Sequence, residues 1–184
     1  MKEISYKITF YANWHCGSGQ AAGADVDALV IKDAQGLPFV PGKTMKGLVR
    51  EALAYTLLPD NTDKDLLNSI CGSFENADHY TIGHAFFSDA TLEKHEKAAI
   101  LDEKLERFMY QSLSATCIND DGIAKDMSLR KTETTVPCTL HGTIMNLEDD
   151  EATAVERALK MVKRLGAGRT RGYGRCEISI KEGQ

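Results

Sequence analysis

Residues 149–180 read DDEATAVERALKMVKRLGAGRTRGYGRCEISI and contain a helix pattern, a glycine-rich loop and a strand pattern in succession. Acidic residues open the segment, basic residues close its helical part, and Gly166 follows, so we predict a helix over residues 149–165. Apolar residues recur at helical spacing at Val155, Leu159 and Val162. After the loop, apolar residues alternate with polar ones at Cys176, Ile178 and Ile180. This alternation predicts a strand with one buried face, so the chain ends in a helix–strand unit.

The first half of the chain has a matching set of patterns. A first strand is predicted from the alternating apolar residues Ile4, Tyr6, Ile8 and Phe10. A helix with one apolar face is predicted to include residues 43–53. Two further strands are predicted at residues 82–91, IGHAFFSDAT, and at residues 138–147, CTLHGTIMNL. The order β-α-β-β-α-β predicts an α+β protein with a ferredoxin-like (RRM-like) sheet, in which the first and third strands are central.

A long insertion separates the second strand from the third. Within it we predict a helix over residues 93–110 and a polar, protruding arm over residues 114–135, which contains the turn signal DDG. We predict a single domain over residues 1–184, because a chain of this length with 42% hydrophobic residues buries one core. The sheet-bearing part is expected to comprise residues 1–91 and 136–184, and the insertion residues 92–135.

The composition also limits where the protein works and how it is stabilised. No apolar run approaches the length of about 20 residues that spans a bilayer, and the N-terminus alternates, unlike the apolar block of a signal peptide. We therefore expect a cytoplasmic protein with no membrane partner. The five cysteines lie far apart without a CxxC pair, so we expect reduced thiols, with neither a disulfide framework nor a zinc site.

The charged residues are strongly segregated along the sequence. The net charge of −5 argues against a generic nucleic-acid binder, but residues 157–175 hold seven cations and residues 43–50 hold three, with no acid in either segment. This pattern is typical of a protein with one basic face. Glycines beside these cations would let a phosphate approach the backbone amides. Both segments are therefore predicted to bind RNA.

The candidate RNA-binding residues follow from these two segments. The phosphate-binding candidates are Lys43, Lys46, Arg50, Arg169, Arg171 and Arg175, and Tyr173 is a candidate for stacking on a base. Cations in the first turns of the predicted helix oppose its dipole, a conflict that a bound phosphate would relieve. Lys160, Lys163 and Arg164 complement the dipole at the end of their own helix, so they need no ligand.

Six motifs occur in a fixed order along almost the whole chain. They are WHCGSG at 14–19, DALVIKDAQGLPFVPGKTMKGLVREAL at 27–53, ICGSF at 70–74, SDATL at 88–92, GIAKDMSLRKTETTVPCTLHGTI at 122–144 and GAGRTRGYGR at 166–175. With them the chain resembles the RAMP superfamily of CRISPR-associated proteins. Within that superfamily it is similar to the single-domain backbone subunits of type III effector complexes, which polymerise along a guide RNA and pair it with target RNA.

The resemblance implies a structure and a set of partners. It implies a ferredoxin-like palm, a thumb hairpin within residues 114–135, and guide-RNA contacts from the PGKTMKGLVR helix and the glycine-rich loop. Arg130, in the arm, belongs to the same set of candidate RNA-binding residues. The implied partners are guide RNA, target RNA, other type III effector subunits and further copies of this chain.

The resemblance also implies a catalytic residue. In the catalytic subunits of the family an aspartate lies six residues before the last acid of the VIKD-like segment, and here that position is Asp27. Its carboxylate would hold a divalent cation, Mg²⁺, against the scissile phosphate only when RNA is bound. The expected reaction is attack by a 2'-hydroxyl on the adjacent phosphorus, which leaves a cyclic phosphate. Asp25 is the alternative acid, and a solvated loop acid without a catalytic role is the other interpretation of Asp27.

Two further functions stay open at this stage. One is an RNA-binding scaffold without catalysis, and the other is a metal-independent guide-processing endoribonuclease that uses His15 as general acid or base. Processing relatives usually have two ferredoxin-like halves, and we predict one here. His15 is a candidate RNA contact, with a hydrogen-bonded structural histidine as the alternative, and Trp14 is expected in the core.

Two other motifs carry less weight. Residues 36–44, GLPFVPGKT, resemble the phosphate-binding loop of nucleotide hydrolases, but the spacing is one residue too long and two prolines remove amides that such a loop needs. A metal site formed by Cys71, His79 and His84 is disfavoured because the spacing matches no zinc pattern.

Overall fold

The computed structural model describes residues 1–23, 25–57, 64–76 and 79–181. In these ranges the strands are β1 (Lys2–Phe10), β2 (Ser73–Asn76), β3 (His79–Thr81), β4 (Phe86–Phe87), β5 (Tyr110–Ala115), β6 (Arg130–Thr135), β7 (Thr139–Leu147) and β8 (Cys176–Ile180). The α-helices are α1 (Gly42–Leu57), α2 (Lys64–Cys71), α3 (Lys94–Asp102) and α4 (Asp149–Met161). None of the helices in these ranges has the length and apolar character needed to cross a bilayer.

The main sheet has four antiparallel strands in the order β4-β7-β1-β8. With β1, β4, β7 and β8 counted as the four strands of the β-α-β-β-α-β unit, this is the ferredoxin-like order with the first and third strands central. The predicted fold class is therefore confirmed. Two separate hairpins, β2–β3 and β5–β6, lie outside this sheet.

The core lies between the main sheet and the helices α1 and α4, which pack against each other. The alternating residues of β1 point into it, and each is at most 3% exposed: Ile4, Tyr6, Ile8 and Phe10. Trp14 is 1% exposed and stacks on Phe10 with ring centroids 4.4 Å apart, so it belongs to the core as expected. Each fully buried apolar side chain contributes about 1.5–3 kcal/mol of transfer free energy.

The insertion differs from the predicted helix over residues 93–110. The helix α3 ends at Asp102 and buries no side chain, and Lys104 has a left-handed φ of 54° that stops its continuation. A 3-10 turn follows at Glu106–Met109, and Tyr110 already begins β5. The protruding arm is therefore a hairpin that starts four residues earlier than predicted.

The predicted helix over residues 149–165 and the predicted strand over residues 82–91 also differ from the structure. The helix α4 ends at Met161 instead of residue 165, because Val162 is extended and residues 163–165 pair with residues 174–176. The bonds run from the Leu165 N–H to the Gly174 carbonyl and from the Cys176 N–H to the Lys163 carbonyl, at 2.9 and 3.0 Å. Of the predicted strand at 82–91, only Phe86–Phe87 forms a strand, while α2 and the β2–β3 hairpin were not predicted.

Candidate nucleic-acid interface

The glycine-rich loop docks on the segment that follows β1. The Ala167 N–H donates to the His15 carbonyl at 2.8 Å, and the Gly174 N–H donates to the Asn13 carbonyl at 2.8 Å. Gly166 has a φ of 92°, and a Cβ there would collide with the His15 carbonyl. Glycine is therefore required by close backbone approach as well as by the left-handed conformation.

The cations of this loop face solvent. Arg169, Arg171 and Arg175 are all exposed. Arg169 lies 3.7 Å from Glu51 of α1, with both side chains about half exposed, so the pair leaves the guanidinium accessible. Tyr173 is half-buried, and its ring faces Gly168, where a side chain would collide with it. The loop is thus shaped by its glycines and presents its arginines outward.

The three cations of α1 share one face of the helix, because Lys43, Lys46 and Arg50 are spaced at i, i+3 and i+7. Burial raises the pKa of the Cys71 thiol and Arg50 and Lys46 oppose that rise, so both cations lie towards α2. Arg50 also donates to the Gly72 carbonyl, which favours a structural role for this guanidinium. Lys43 is exposed and lies near Cys16, next to the residue on which the glycine-rich loop docks.

The two basic segments are neighbours in the fold. A groove of about 460 Å³ runs between α1 and the end of α4, lined among others by Leu48, Glu51, Tyr55, Met161, Arg164 and Arg169. The Arg164 guanidinium donates to the Arg169 carbonyl at 2.6 Å and braces the loop at this point. The structure therefore brings the arginine-bearing loop against α1 through Arg169 and Glu51, while Arg50 of the same helix binds the Gly72 carbonyl.

The carboxylate of Asp89 lies at the start of α1, a position that was not predicted from the sequence. The Asp89 carboxylate accepts a hydrogen bond from the Gly42 N–H at 2.7 Å. A carboxylate at this position stabilises the helix dipole and satisfies a free donor. The conflict between the dipole and the nearby lysines is thus relieved within the chain, so it no longer argues for a bound phosphate. Asp89 belongs to the SDATL motif, which is the feature of the sequence from which it could have been identified.

Asp27 lies against β6 near the outer end of the paired part of the β5–β6 hairpin. Its N–H donates to the Lys131 carbonyl at 2.9 Å, and its Oδ2 accepts the Lys131 N–H at 2.7 Å. The next residue, Ala28, pairs in parallel with Thr132. The sequence predicts a loop at this aspartate, and the structure has a bend at Asp27 that is held against β6. The alternative acid, Asp25, is exposed and donates its N–H to the Ala22 carbonyl at 3.2 Å.

The acids near Asp27 do not form a metal cage. Among the described residues, no group of three or more histidines, cysteines or acids is arranged to hold a metal ion. A single exposed carboxylate still fits Mg²⁺, because this ion keeps several waters and commonly binds one or two carboxylates together with substrate phosphates. Arg130 is exposed at the start of β6, beside Lys131, and so lies next to the Asp27 segment.

The histidines have structural partners. His15 is 6% exposed, and its Nδ1 lies 2.7 Å from the Glu133 carbonyl, which favours the structural alternative for this residue. The Nε2 of His84 lies 2.8 Å from Glu151 Oε2. The side chain of His79 lies outside the described part of the structure, so the structure does not describe the metal site considered for Cys71, His79 and His84.

Comparison with known proteins gives a consistent assignment. No curated protein matches the sequence. A chain of the type III-B Cmr-beta bound to cognate target RNA superposes with a TM-score of 0.72 at 11% identity, covering 98% of this chain and 97% of that chain. A chain of the type III-B Cmr-beta in the apo state superposes with a TM-score of 0.73 at 13% identity and the same coverage. The model of the RAMP superfamily matches residues 7–177, and the chain belongs to that superfamily.

Proposed function

We propose that the chain is a backbone subunit of a type III CRISPR effector complex that binds guide RNA and cleaves target RNA with Asp27. Membership of the RAMP superfamily and the shared fold of the Cmr-beta chains support the type of complex. The partners in this proposal are guide RNA, target RNA, other effector subunits and further copies of this chain.

One observation carries the catalytic part of the proposal. Asp27 is held against β6 of the protruding hairpin by two hydrogen bonds to Lys131, and the segment 13–17, which pairs with residues 30–31, carries the glycine-rich loop. In this proposal an RNA that follows the loop arginines also reaches this carboxylate. The same arrangement gives Asp27 a defined position instead of the free rotation of a solvated loop acid.

In the proposed reaction, the role of Asp27 is to hold the metal ion. When bound, Mg²⁺ would neutralise the charge that develops on the phosphorane oxygens. Asp27 would hold the ion through its carboxylate, and its bonds to Lys131 would fix the direction of that carboxylate. The 2'-oxygen of the target loses its proton to water and forms a bond to phosphorus, and the bond from phosphorus to the 5'-oxygen breaks. The 5'-oxygen takes a proton from water, and a 2',3'-cyclic phosphate remains.

Guide binding in this proposal uses the exposed cations near the loop. Arg169, Arg171 and Arg175 face solvent, and Lys43 is exposed at the start of α1 near Cys16. Exposed arginines above a glycine-rich backbone offer both charge and amide donors to phosphates. Backbone contacts carry no sequence information, which suits a subunit that leaves sequence reading to base pairing.

The decisive experiment replaces the candidate acid in the assembled effector complex. We expect Asp27→Ala and Asp27→Asn to lower Mg²⁺-dependent target cleavage by about a hundredfold or more, equivalent to ~3 kcal/mol of transition-state stabilisation. Target-RNA affinity should stay unchanged, because the carboxylate contributes no phosphate contact of its own. The matched control is Asp25→Ala, which removes an exposed acid two residues away and should cut normally.

A non-catalytic scaffold is the second candidate function. It is favoured by the hydrogen bond that Asp27 Oδ2 already accepts from Lys131, since a carboxylate used in this way also has a structural purpose. Normal cleavage by the Asp27→Ala complex would reject the catalytic role of Asp27, and normal cleavage by the Asp25→Ala complex as well would favour the scaffold. Loss of cleavage in the Asp25→Ala complex instead would move the role to that acid.

A further inference from the structure

Glu133 on β6 joins three parts of the molecule through four contacts. Its Oε2 accepts the Val30 N–H at 3.1 Å, and its Oε1 pairs with the Lys32 ammonium at 2.8 Å. Its backbone N–H donates to the Ala28 carbonyl at 3.0 Å, and its own carbonyl lies 2.7 Å from Nδ1 of His15. The side chain is 14% exposed, so its charge is used inside the protein.

The contacts form a continuous path from the glycine-rich loop to the candidate catalytic segment. The loop binds the His15 carbonyl through the Ala167 N–H, and the His15 ring binds Glu133. Glu133 then holds residues 28–32, the segment that begins directly after Asp27. The Lys32 ammonium also lies 3.9 Å above the Tyr110 ring, so the same segment is fixed to β5 as well as to β6.

We propose that Glu133 is a positioning residue that holds the segment bearing Asp27 against the hairpin and in register with the glycine-rich loop. This inference rests on the proposed function. Glu133 acts on the reaction through Asp27 and contacts no RNA itself. Through this path, both the glycine-rich loop and the hairpin help to fix the position of the Asp27 carboxylate.

The chemistry of a carboxylate explains why glutamate suits this position. Its two oxygens accept from two donors at once, here a backbone N–H and an ammonium. Glutamine offers one acceptor oxygen and keeps only one of these contacts, and alanine keeps neither. Removing the partly buried carboxylate leaves the Val30 N–H without its acceptor, which favours opening of the segment.

The first part of the test measures the segment without relying on catalysis. Amide hydrogen exchange is compared in the folded chain for wild type, Glu133→Ala, Glu133→Gln and Lys32→Met, with the exposed Glu103→Ala as the matched control. In Glu133→Ala we expect the amides of Val30 and Lys131 to exchange about tenfold faster, with those of β7 unchanged. Glu133→Gln and Lys32→Met should each give an intermediate increase, because each removes the ion pair and spares the Val30 bond.

The second part measures cleavage by the assembled complex. For Glu133→Ala we expect a fall in kcat of about tenfold with target-RNA affinity unchanged, and partial recovery in Glu133→Gln. If Glu133 served only overall stability, its replacement would lower the melting temperature but would not lower kcat while target-RNA affinity stays unchanged. If Glu133→Ala fails to fold, Glu133→Gln and Lys32→Met still report the same two quantities.

The outcomes separate the inference from the proposed function. Unchanged exchange at Val30 and Lys131 in all three variants overturns the positioning role, whatever happens to cleavage. Faster exchange with normal cleavage by Glu133→Ala also overturns it, provided that Asp27→Ala abolishes cleavage in the same complex. Normal cleavage by Asp27→Ala rejects the catalytic function itself, and the exchange data then still decide whether Glu133 holds the segment.

Discussion

At the residue scale, four glycines determine the shape of the arginine-bearing loop, and they differ in what surrounds them. Each has a left-handed backbone: Gly166, Gly168, Gly172 and Gly174. A Cβ on Gly174 would collide with the backbone carbonyl of Leu165, whereas a Cβ on Gly172 would have no heavy atom within 4 Å. The cost of a side chain therefore has two components, backbone strain and collision, which these two positions separate.

Gly174→Ala is expected to destabilise the protein much more than Gly172→Ala. Strain from a left-handed alanine costs about 1–2 kcal/mol at either position. At Gly174 the collision with a rigid backbone atom raises the total loss in unfolding free energy to about 3 kcal/mol. Urea unfolding of the two variants measures the difference, and equal losses would contradict the close packing of the loop on residues 163–165.

Glu151 is a second residue whose role can be measured, through the pH dependence of stability. It is 4% exposed and accepts hydrogen bonds from the Ser69 hydroxyl at 2.9 Å and the Glu148 N–H at 2.9 Å, besides its contact with His84. Burial by itself would raise the pKa of Glu151, but these hydrogen bonds and His84 outweigh it and hold the pKa below its usual value.

The pH dependence of stability follows from this lowered pKa. A carboxyl whose folded pKa is depressed contributes stability above its unfolded pKa of about 4.3 and loses that contribution as pH falls through the folded value. Glu151→Gln should therefore be less stable than wild type at pH 7 and show a flatter decline below about pH 4.5. Urea midpoints across this pH range, with Glu156→Gln on the same helix as control, test the effect. Parallel curves for Glu151→Gln and wild type would contradict it.

At the element scale, the β5–β6 hairpin has a fixed base and an exposed end. At the base, the Tyr110 hydroxyl donates to the Gly36 carbonyl at 2.7 Å and the ring lies under Lys32. Beyond the last pair, Ala115 with Arg130, apolar side chains stand more than 60% exposed: Ile118, Ile123, Met127 and Leu129. The end of the hairpin therefore contributes little to the folding of the rest of the chain.

Replacing residues 116–129 with Asn-Gly should leave the unfolding free energy within about 1 kcal/mol of wild type. The dipeptide closes a two-residue hairpin at the Ala115 and Arg130 pair, and no buried side chain is lost. Tyr110→Ala is the matched change at the base, where a loss of about 2 kcal/mol or more is expected from its hydrogen bond and packing. Thermal unfolding compares them, and a large loss in the shortened hairpin would show that its end packs on the palm.

At the scale of the whole molecule, the fold brings together cations that lie far apart along the chain. The glycine-rich loop contacts α1 through Arg169 and Glu51, and Lys43 is exposed at the start of the same helix. The acidic net charge is compatible with the proposed RNA binding, because ten of the 22 cations are concentrated in two short segments without acids.

The double variant Lys43→Ala with Arg171→Ala should weaken binding of single-stranded RNA and flatten its dependence on salt. Each lost phosphate contact lowers the slope of log affinity against log salt by about 0.7 for a single strand, so we expect a fall of about 1.4. Arg50→Ala is the matched control, because its guanidinium binds the Gly72 carbonyl, and it should affect stability more than the slope. Fluorescence anisotropy titrations at several salt concentrations measure the slope, and an unchanged value in the double variant rejects the proposed surface.

The sequence by itself determined the strands β1, β7 and β8, the two long helices and the identity of the basic segments. These features follow from local periodicity and composition, which any one segment displays without its neighbours. The end of α4 was predicted four residues late because residues 163–165 pair with residues 174–176, and this long-range pairing leaves no local signal. Only the tertiary structure showed that Asp89 caps α1 and that Arg50 and His15 are engaged within the protein. It also placed Glu133 beside the Asp27 segment, since contacts across more than a hundred residues depend on how the chain packs.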